Sequence, residues 1–410
     1  MLKRVAVIIT LTWGIFSGPV CAEQRFFKGN THAHSFWSDG NDFPEMVIDY
    51  YHRNGYDFAT LSDHNVLPRN YRWMSVQEIK ARQVGPGPGA IEKCEARFGP
   101  DWIEWKQVAG KRGVILKPLQ AYRDQFEAPG EFLIIEAQEI SDRSTTGHVH
   151  INALNLEHLI PFQKEPVGST VQVMRRLLRQ VAAQEEAIGR PILTHLNHPN
   201  YRWSVTAEEL AAVVEERFFE VYNGHPDINH LGDESRPGDE MIWDIANTLR
   251  LAKLDAAPLY GVATDDSHRY HGGDVSPGRG WIQVEAEGLT PAALIGAMRH
   301  GRFYASTGVE LSRLSYDSAT RVLEFEIVAD GEARFRSELI GTRRNYAQAD
   351  APASSVIGEV FNLSSDRSVR FEVPSDALYA RVTITSTASH PNPSYDYQTK
   401  QAWLQPVGWR

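Results

Sequence analysis

Short apolar segments alternate with segments of helical period from about residue 26 to residue 301, and this alternation most constrains the fold. Apolar runs at 132–137, 218–222 and 259–263 are typical strands, whereas 171–188 repeats apolar residues with a helical period and stops at Gly189. Strands that alternate with helices predict a parallel sheet, and roughly seven such strands predict a barrel. In barrels of this kind the chemistry lies at the carboxyl ends of the strands.

The first predicted strand ends in a histidine pair. His32 and His34 are two positions apart, so on an extended strand their imidazoles leave the same face, and Asp39 follows five residues later. Neutral imidazole is the commonest metal ligand in proteins, and two on one face can hold one cation. Taken alone, the pair fits a surface His-x-His beside a turn equally well. The decision therefore depends on whether other strands end in the same way.

Similar residues do follow the other predicted strands. Most of them stand where a strand stops, and His150 is the exception, because it lies near the start of the strand predicted at 148–154. His148, one pleat away, is the alternative to His150. Besides the first pair and Asp39, the candidate ligands are His64, Glu139, His150, His198, Asp266 and His268.

The chemistry of this set limits the metal. Imidazoles mixed with carboxylates and without thiolates suit Zn, Mn or Fe, and so many imidazoles argue against Mg or Ca. The set also exceeds what one four- to six-coordinate ion needs, so we expect two or three divalent ions. Closely spaced ions suit the hydrolysis of phosphoesters by a metal-bound hydroxide.

In order along the chain, HAH at 32–34 with Asp39, SDHN at 62–65, EIS at 139–141, NHP at 197–199 and DSH at 266–268 resemble the polymerase and histidinol phosphatase (PHP) domain. The resemblance covers about 26–308 and implies a distorted (β/α)7 barrel with a trinuclear metal site. It implies one ion held by His32, His34, Glu139 and Asp266, a second bridged by Glu139 and held by His150 and His198, and a third held by Asp39, His64 and His268.

Four residues are candidates for catalysis. Asp266 and His268 belong to the last ligand motif, and a histidine is expected to protonate the leaving group. His195 is either a phosphate contact or a structural hydrogen-bonding residue. Arg279 is either a bidentate phosphate ligand or an ordinary arginine in a turn. Asp63 and Asp265 are expected to orient ligands, and Glu220 either lines the pocket or belongs to the scaffold.

The amino terminus has the pattern of an export signal. Two basic residues precede an apolar run, a Gly-Pro pair breaks it, and Val20-Cys21-Ala22 fits a cleavage site, which predicts a signal peptide over 1–22. We therefore expect a periplasmic or extracellular protein with no membrane span after cleavage. Cys94 would then be the one remaining cysteine, so no intramolecular disulfide is expected.

Composition and length complete the predicted organisation. The 52 acidic residues outnumber 42 lysines and arginines, and the net charge of -10 argues against non-specific binding to a nucleic-acid backbone. The PHP-like domain is predicted over 23–308, with an insertion at about 68–131. From 309 to 410 the pattern changes to alternating strands without helical period, which predicts a small all-β, sandwich-like module.

The sequence thus predicts an exported metal-dependent phosphoesterase that acts on a small-molecule phosphomonoester or phosphodiester. Two alternatives stay open. A metallo-amidohydrolase also begins with His-x-His on a first barrel strand, although the Asp-His pair at 63–64 argues against it. A non-catalytic exported binding protein is the other, and the intact ligand set argues against that.

Overall fold

The computed structural model describes residues 25–85, 87–348 and 356–409. The predicted signal peptide at 1–22 lies outside these ranges. No helix within them is both long enough and apolar enough to cross a bilayer. The described chain is a mixed α/β structure built around one large sheet.

The helices are α1 Pro44–Arg53, α2 Val76–Arg82, α3 Ala90–Phe98, α4 Leu119–Phe126, α5 Thr170–Ile188, α6 Ala207–Ala212, α7 Asp239–Lys253 and α8 Pro291–Arg299, with 3-10 turns at Pro100–Trp102 and Tyr346–Gln348. The strands are β1 Phe26–Asn30, β2 Phe58–Leu61, β3 Arg72–Ser75, β4 Trp105–Val108, β5 Lys111–Leu116, β6 Leu133–Arg143, β7 His148–Leu154, β8 Leu193–Leu196, β9 Phe218–Asn223, β10 Tyr260–Thr264, β11 Trp281–Glu285, β12 Phe303–Ser306, β13 Leu311–Asp317, β14 Val322–Ile327, β15 Phe335–Arg343, β16 Glu359–Ser364, β17 Ser368–Glu372, β18 Ala377–Ser389 and β19 Thr399–Val407.

Local sequence explains the helices that pack on this sheet. The α5 helix begins at Ser169, whose side chain caps it in a capping box with Gln172, and it ends at Gly189 in the left-handed conformation. Its buried face includes Val173, Leu177 and other apolar residues at helical spacing. An N-cap of this kind stabilises a helix by about 1 kcal/mol.

The large sheet contains thirteen strands in the order β10-β9-β8-β7-β6-β2-β1-β11-β12-β19-β18-β15-β16. The neighbours β1, β2 and β6 are parallel, and so are β8, β9 and β10. The segments after β1 and β10 also meet, because His34 N donates to Ser267 O and Asp266 N donates to His32 O, at 2.9 and 3.0 Å. Residues that follow distant strands are thereby brought together.

An all-parallel sheet was the wrong expectation for β7. Only residues 144–147 connect it to β6, and the two strands pair antiparallel, with Ser141 opposite His150. A parallel crossover needs a dozen or more residues. A link of this length therefore forces a hairpin. The start of β7 therefore lies at the same edge as the end of β6. This explains why His150, near the start of its strand, joins residues at strand ends.

The insertion forms its own small unit. Strands β3, β5 and β4 make an antiparallel three-stranded sheet, accompanied by α2, α3 and α4. The sequence indicated helical segments here but no strands. Its core buries Met74, Cys94 and Val114 together with Phe36 and Trp37, which belong to the loop that carries Asp39.

The strands beyond β12 form two groups. β19, β18, β15 and β16 continue the large sheet, and β13, β14 and β17 form a second antiparallel sheet. Apolar side chains of both groups pack in one core, among them Leu323, Phe371, Leu339 and Val382. The arrangement is rich in β structure, while a domain boundary near residue 308 stays a prediction.

A buried carboxylate gives this fold a pH-dependent stability. Glu216 precedes β9 and lines a cavity of about 610 Å³ at the amino ends of β8 and β9, away from the strand ends discussed below. Its Oε1 accepts hydrogen bonds from Thr194 and from two backbone amides, but Oε2 is buried and has no hydrogen-bond partner in the described part of the chain. Burial raises the pKa of Glu216 to about 7.

We expect Glu216→Gln to stabilise the protein more at pH 8 than at pH 5. The raised pKa means that the folded state binds more protons than the unfolded state between pH 4.5 and 7, so stability falls as pH rises through that window. The gain in unfolding free energy should be larger at pH 8 by roughly 2 kcal/mol. Urea unfolding at both pH values measures it, with Glu215→Gln, an exposed neighbour, as control. An equal gain at both values would contradict the assignment.

Candidate metal centre

The centre is built around Glu139, a fully buried residue of β6. Its Oε2 lies 2.6 Å from His64 Nδ1, 3.4 Å from His34 Nε2 and 3.5 Å from His32 Nε2. These imidazoles come from the segments that follow β1 and β2, which are the sheet neighbours of β6. One carboxylate oxygen thus faces three ring nitrogens.

The other oxygen of Glu139 faces the next strands of the sheet. Oε1 lies 3.0 Å from His150 Nδ1 and 3.5 Å from His198 Nε2. Asn197 donates a hydrogen bond to it at 2.9 Å. His148 contacts Arg143, at 3.3 Å, and not Glu139, so the antiparallel β7 brings His150 to the centre. Glu139 therefore lies between two groups of imidazoles, as a bridging carboxylate would.

Four candidate ligand atoms, from His32, His34, Glu139 and Asp266, lie close together. His32 Nε2 and His34 Nε2 are 3.1 Å apart, and Asp266 Oδ1 lies 3.2 and 3.0 Å from them. Glu139 Oε2 is 3.5 and 3.4 Å from the same two nitrogens. Ligand atoms at the corners of a tetrahedron about 2.0–2.1 Å from zinc are about 3.3 Å apart. The distances among His32, His34 and Glu139 match that spacing, and Asp266 Oδ1 lies within 3.2 Å of both imidazoles.

A further group surrounds Asp39. Its carboxylate lies 3.5 Å from His64 Nε2, 3.4 Å from His268 Nε2 and 3.6 Å from His34 Nδ1. The ligand atoms of these four residues all lie within 4.8 Å of one another, and the same is true of two other groups. Those two groups are His32 with His34 and Glu139, and His64 with Glu139 and His150.

The electrostatics of the centre keep Glu139 ionised, and a cation that binds there would have to compete with protons on His32. Burial alone raises the pKa of Glu139, but the imidazoles of His64, His150 and His32 outweigh it and hold the pKa well below its ordinary value. Burial lowers the pKa of His32, yet nearby carboxylates, Asp266 first, raise it well above normal. Metal ligation needs neutral imidazole, so a cation that binds here must displace protons.

The donor set fits divalent ions. Glu139 Oε2 is buried and accepts no hydrogen bond of acceptable geometry among the described residues. A buried carboxylate oxygen that accepts no hydrogen bond is costly, and an ion among these nitrogens would satisfy Oε2. The set contains imidazoles and carboxylates and no thiolate, which agrees with Zn, Mn or Fe.

Outer contacts hold the ligands in place. Glu220 Oε1 lies 2.7 Å from His32 Nδ1, and its Oε2 accepts hydrogen bonds from Asn223 Nδ2 and His198 N. Asn223 also donates to Asp266 Oδ2 at 3.1 Å. Partners of this kind fix the tautomer and orientation of metal ligands. Asn197 was missed as a supporting residue, although it directly follows the end of β8.

Two aspartates beside the ligands stabilise loops. Asp63 accepts hydrogen bonds from Ser35 and Ser38, in the loop between His34 and Asp39. Asp265 accepts from Tyr51 OH and from the backbone amides of residues 278–280. Both carboxylates hold in place segments that carry or adjoin candidate ligands, while their role in orienting metal ligands stays a prediction.

The backbone is strained at two candidate ligands. Asp266 has φ 47° and His198 has φ 27°, in the left-handed region that residues other than glycine rarely adopt. Such a conformation costs about 1–3 kcal/mol and persists where surrounding contacts enforce it. Here the enforcing contacts include the amide of Asp266 bonded to His32 O and the amide of His198 bonded to Glu220.

The predicted catalytic residues occupy different places. Asp266 and His268 lie in the cluster. His195 is buried, with its ring 6.3 Å from that of His32 and its Nδ1 3.9 Å from Glu220 Oε1, and it belongs to none of the three ligand groups. Arg279 donates to the carbonyls of Gly224 and Asp274 and to Asn392 Oδ1, none of which is a ligand, so the structure does not bring it to the cluster.

The insertion holds the exposed ligand. Asp39 is about half exposed, and its loop is bound from the side of the insertion. Arg82 Nη1 donates to Ser38 O at 2.6 Å and to Gly40 O at 3.3 Å. A Cβ on Gly40 would lie 2.6 Å from the backbone of His34, so this close approach requires glycine.

Comparison with known proteins adds distant likenesses. No family model and no curated protein matches the chain. A two-domain protein from Bacteroides vulgatus that contains a predicted PHP-like metal-dependent phosphoesterase is 15% identical over 93% of this chain and 96% of its own, with a TM-score of 0.41. PsfC from Pseudomonas syringae is 14% identical over 67% and 88%, with a TM-score of 0.34.

A third solved structure, from Bifidobacterium adolescentis and named as a candidate metal-dependent phosphoesterase, is 12% identical over 60% and 87%, with a TM-score of 0.31. These identities and TM-scores are too low to support an activity. The assignment below therefore depends on the geometry of the site.

Proposed function

We propose that this protein is a metal-dependent hydrolase of phosphoric esters with a PHP-like, multinuclear centre. The observation that carries the proposal is the position of Glu139 between two groups of imidazoles, five in all, that come from four different segments. Chance placement of histidines on a surface does not bury a carboxylate among them. The motif order along the sequence supports the same class.

The fold that we propose for this centre is a distorted (β/α)7 barrel. The strands β1, β2, β6, β7, β8, β9 and β10 form a continuous run of seven in the large sheet. The isolated parallel bridge between Ala33 and Ser267 supports closure, because it links the segments that follow the two outermost strands of that run. The ligands would then line one mouth of the barrel.

The ligand groups support room for two or three ions. His32, His34, Glu139 and Asp266 would hold one ion, and Asp39, His64 and His268 another. His150 and His198 with Glu139 would hold a further ion. Divalent ions held there would supply Lewis acidity, which lowers the pKa of water and withdraws charge from phosphoryl oxygens.

The chain's own residues would bind and orient the substrate. The buried carboxylates of Glu139 and Asp266 would fix the ligand geometry, Glu220 would keep His32 in place, and Asn223 would keep Asp266 in place. Because His268 Nδ1 is held by Asp266 O at 2.9 Å, only its Nε2 faces the centre, and that nitrogen would serve either as a ligand beside Asp39 or as the proton donor to the leaving oxygen. Asp39 and His64 are also accessible from that side.

The cellular setting is also a proposal. The basic and apolar residues of 1–22 support export to the periplasm or beyond, and the net charge of -10 supports a small-molecule phosphoester rather than a nucleic-acid duplex as substrate. Proteolytic mapping of the amino terminus of exported protein should find cleavage after Ala22.

A screen of phosphoesters tests the function. Purified full-length protein loaded with Mn, Zn or Fe should hydrolyse at least one aryl phosphomonoester or phosphodiester, and a chelator should remove the activity. Hydrolysis of amides or lactones with no turnover of any phosphoester at full metal occupancy would favour the amidohydrolase alternative. No turnover of either class would overturn the enzymatic proposal.

A further inference from the structure

A second feature adjoins the metal centre. A cavity of about 210 Å³ is lined by Ser141, Asp142, Arg143, His148, His150, Phe162, Gln163 and Lys164. Its volume is roughly seven times the ~30 Å³ that one water molecule occupies in the liquid, enough for a carboxylate or phosphate with a few carbon atoms.

Two residues connect the cavity to the centre. His150 lines it, and His150 Nδ1 is 3.0 Å from the bridging carboxylate of Glu139. Ser141 also lines it, and its Oγ is 2.5 Å from His64 Nδ1. A molecule whose phosphoryl group lies at the centre could therefore extend into this cavity.

The charges that line the cavity are unbalanced. Its one carboxylate, Asp142, is neutralised from the other side, because Oδ2 accepts hydrogen bonds from Arg176 Nη2 at 2.6 Å and from Gln163 N at 2.9 Å. Arg143 and Lys164 are exposed and have no carboxylate partner among the described residues. The Arg143 guanidinium instead lies 3.3 Å from His148 Nε2.

The other walls suit the body of an organic molecule. Phe162 is half-buried and supplies an apolar surface. On the side of the histidines, the Tyr201 ring lies 5.5 Å from that of His148 and 6.5 Å from that of His150. A ligand with a short carbon chain between two anionic ends would fit this arrangement. One end would lie at the metal centre, the chain along Phe162, and the other end beside Arg143 and Lys164.

We propose that Arg143 and Lys164 form an anion subsite, and that the preferred substrate is a phosphoester whose leaving group carries a second anionic group, a carboxylate or a phosphate. The inference rests on the proposed function and deepens it. In a protein of net charge -10, two free cations beside the centre offset the repulsion that a polyanionic substrate would otherwise meet. Arg143 supplies a bidentate donor pair, and Lys164 supplies a point charge.

Kinetics with matched substrates test the subsite. The probes are 4-hydroxybutyl phosphate, 4-phosphonooxybutanoate, which ends in a carboxylate, and butane-1,4-diyl bisphosphate. We expect the wild-type KM to be about tenfold lower for an anionic-ended ester than for the hydroxyl-ended one, a preference that weakens as salt increases. The two anionic probes decide whether carboxylate or phosphate is preferred.

Variants separate the subsite from the centre. Arg143→Gln with Lys164→Gln should remove the preference by raising KM for the anionic-ended esters, and should leave kcat for 4-hydroxybutyl phosphate within about twofold. Lys111→Gln with Lys253→Gln removes the same charge at exposed positions elsewhere and should keep the preference. No wild-type preference, or an equal loss with all three esters in the Arg143/Lys164 variant, would overturn the inference.

Binding decides the case in which no ester is hydrolysed. The proposed function would then fail, but calorimetric titration of metal-loaded protein with 4-phosphonooxybutanoate still measures the subsite. Affinity about tenfold weaker in the Arg143→Gln, Lys164→Gln variant supports the subsite, and equal affinity rejects it.

Discussion

Replacing His34 with alanine should lower the hydrolysis of an aryl phosphate by about a thousandfold or more, equivalent to ~4 kcal/mol of transition-state stabilisation. The reason is that His34 belongs to two groups at once. Its Nε2 faces Asp266 and Glu139 at 3.0 and 3.4 Å, and its Nδ1 faces Asp39 at 3.6 Å. Among the imidazoles of the centre, only His34 and His268 contact both Asp39 and Asp266 through different ring nitrogens.

The control for this variant is His158→Ala, which removes an exposed histidine outside the centre. Circular dichroism should show that both variants fold, since loss of structure would also abolish activity. Metal content should fall in His34→Ala and stay unchanged in His158→Ala. A folded His34→Ala protein with near wild-type activity and metal content would be incompatible with the proposed centre.

The second large effect concerns stability. Arg381 of β18 is 1% exposed and binds Asp244 of α7 through two hydrogen bonds, Nε to Oδ1 at 2.9 Å and Nη2 to Oδ2 at 2.7 Å. Tyr379 donates to the same carboxylate, and Glu240 lies 3.0 Å from Arg381 Nη1. Arg381→Met would leave Asp244 buried without its charge partner, and should lower the unfolding free energy by about 3–5 kcal/mol.

Denaturant unfolding measures this effect, and two further variants interpret it. Arg343→Met, which breaks the more exposed ion pairs of a neighbouring strand, should cost about 1 kcal/mol or less. Asp244→Asn combined with Arg381→Met removes both charges and should recover part of the loss. Equal destabilisation by Arg343→Met and Arg381→Met would show that the buried pair has no special role.

The sequence predicted that the candidate ligands lie together because the hydrophobic pattern shows where buried strands stop. His34 and Asp266 follow β1 and β10 directly, and parallel strands present their carboxyl ends at one edge. His150 was predicted from the motif, but its place at that edge required knowing that the short link at 144–147 reverses β7. That information was present in the length of the link.

Other features depend on contacts between distant segments and have no local signal. Arg279 looked available for phosphate, yet Asn392, 113 residues further along the chain, and the carbonyl of Gly224 accept its hydrogen bonds. The insertion has no clear strand periodicity, so its sheet could not be predicted. The hydrogen bond by which Arg82 holds the Asp39 loop has no local signal either. Glu220 was left open because its role depends on which side chains of neighbouring strands face it.

The most direct test of the central claim is the metal content of purified, desalted protein after loading with Mn, Zn or Fe, compared with that of Glu139→Gln. A shared bridging carboxylate predicts two or three ions per wild-type chain, and at most one in the variant. No retained metal in the wild type, or the same content in both proteins, would contradict the account.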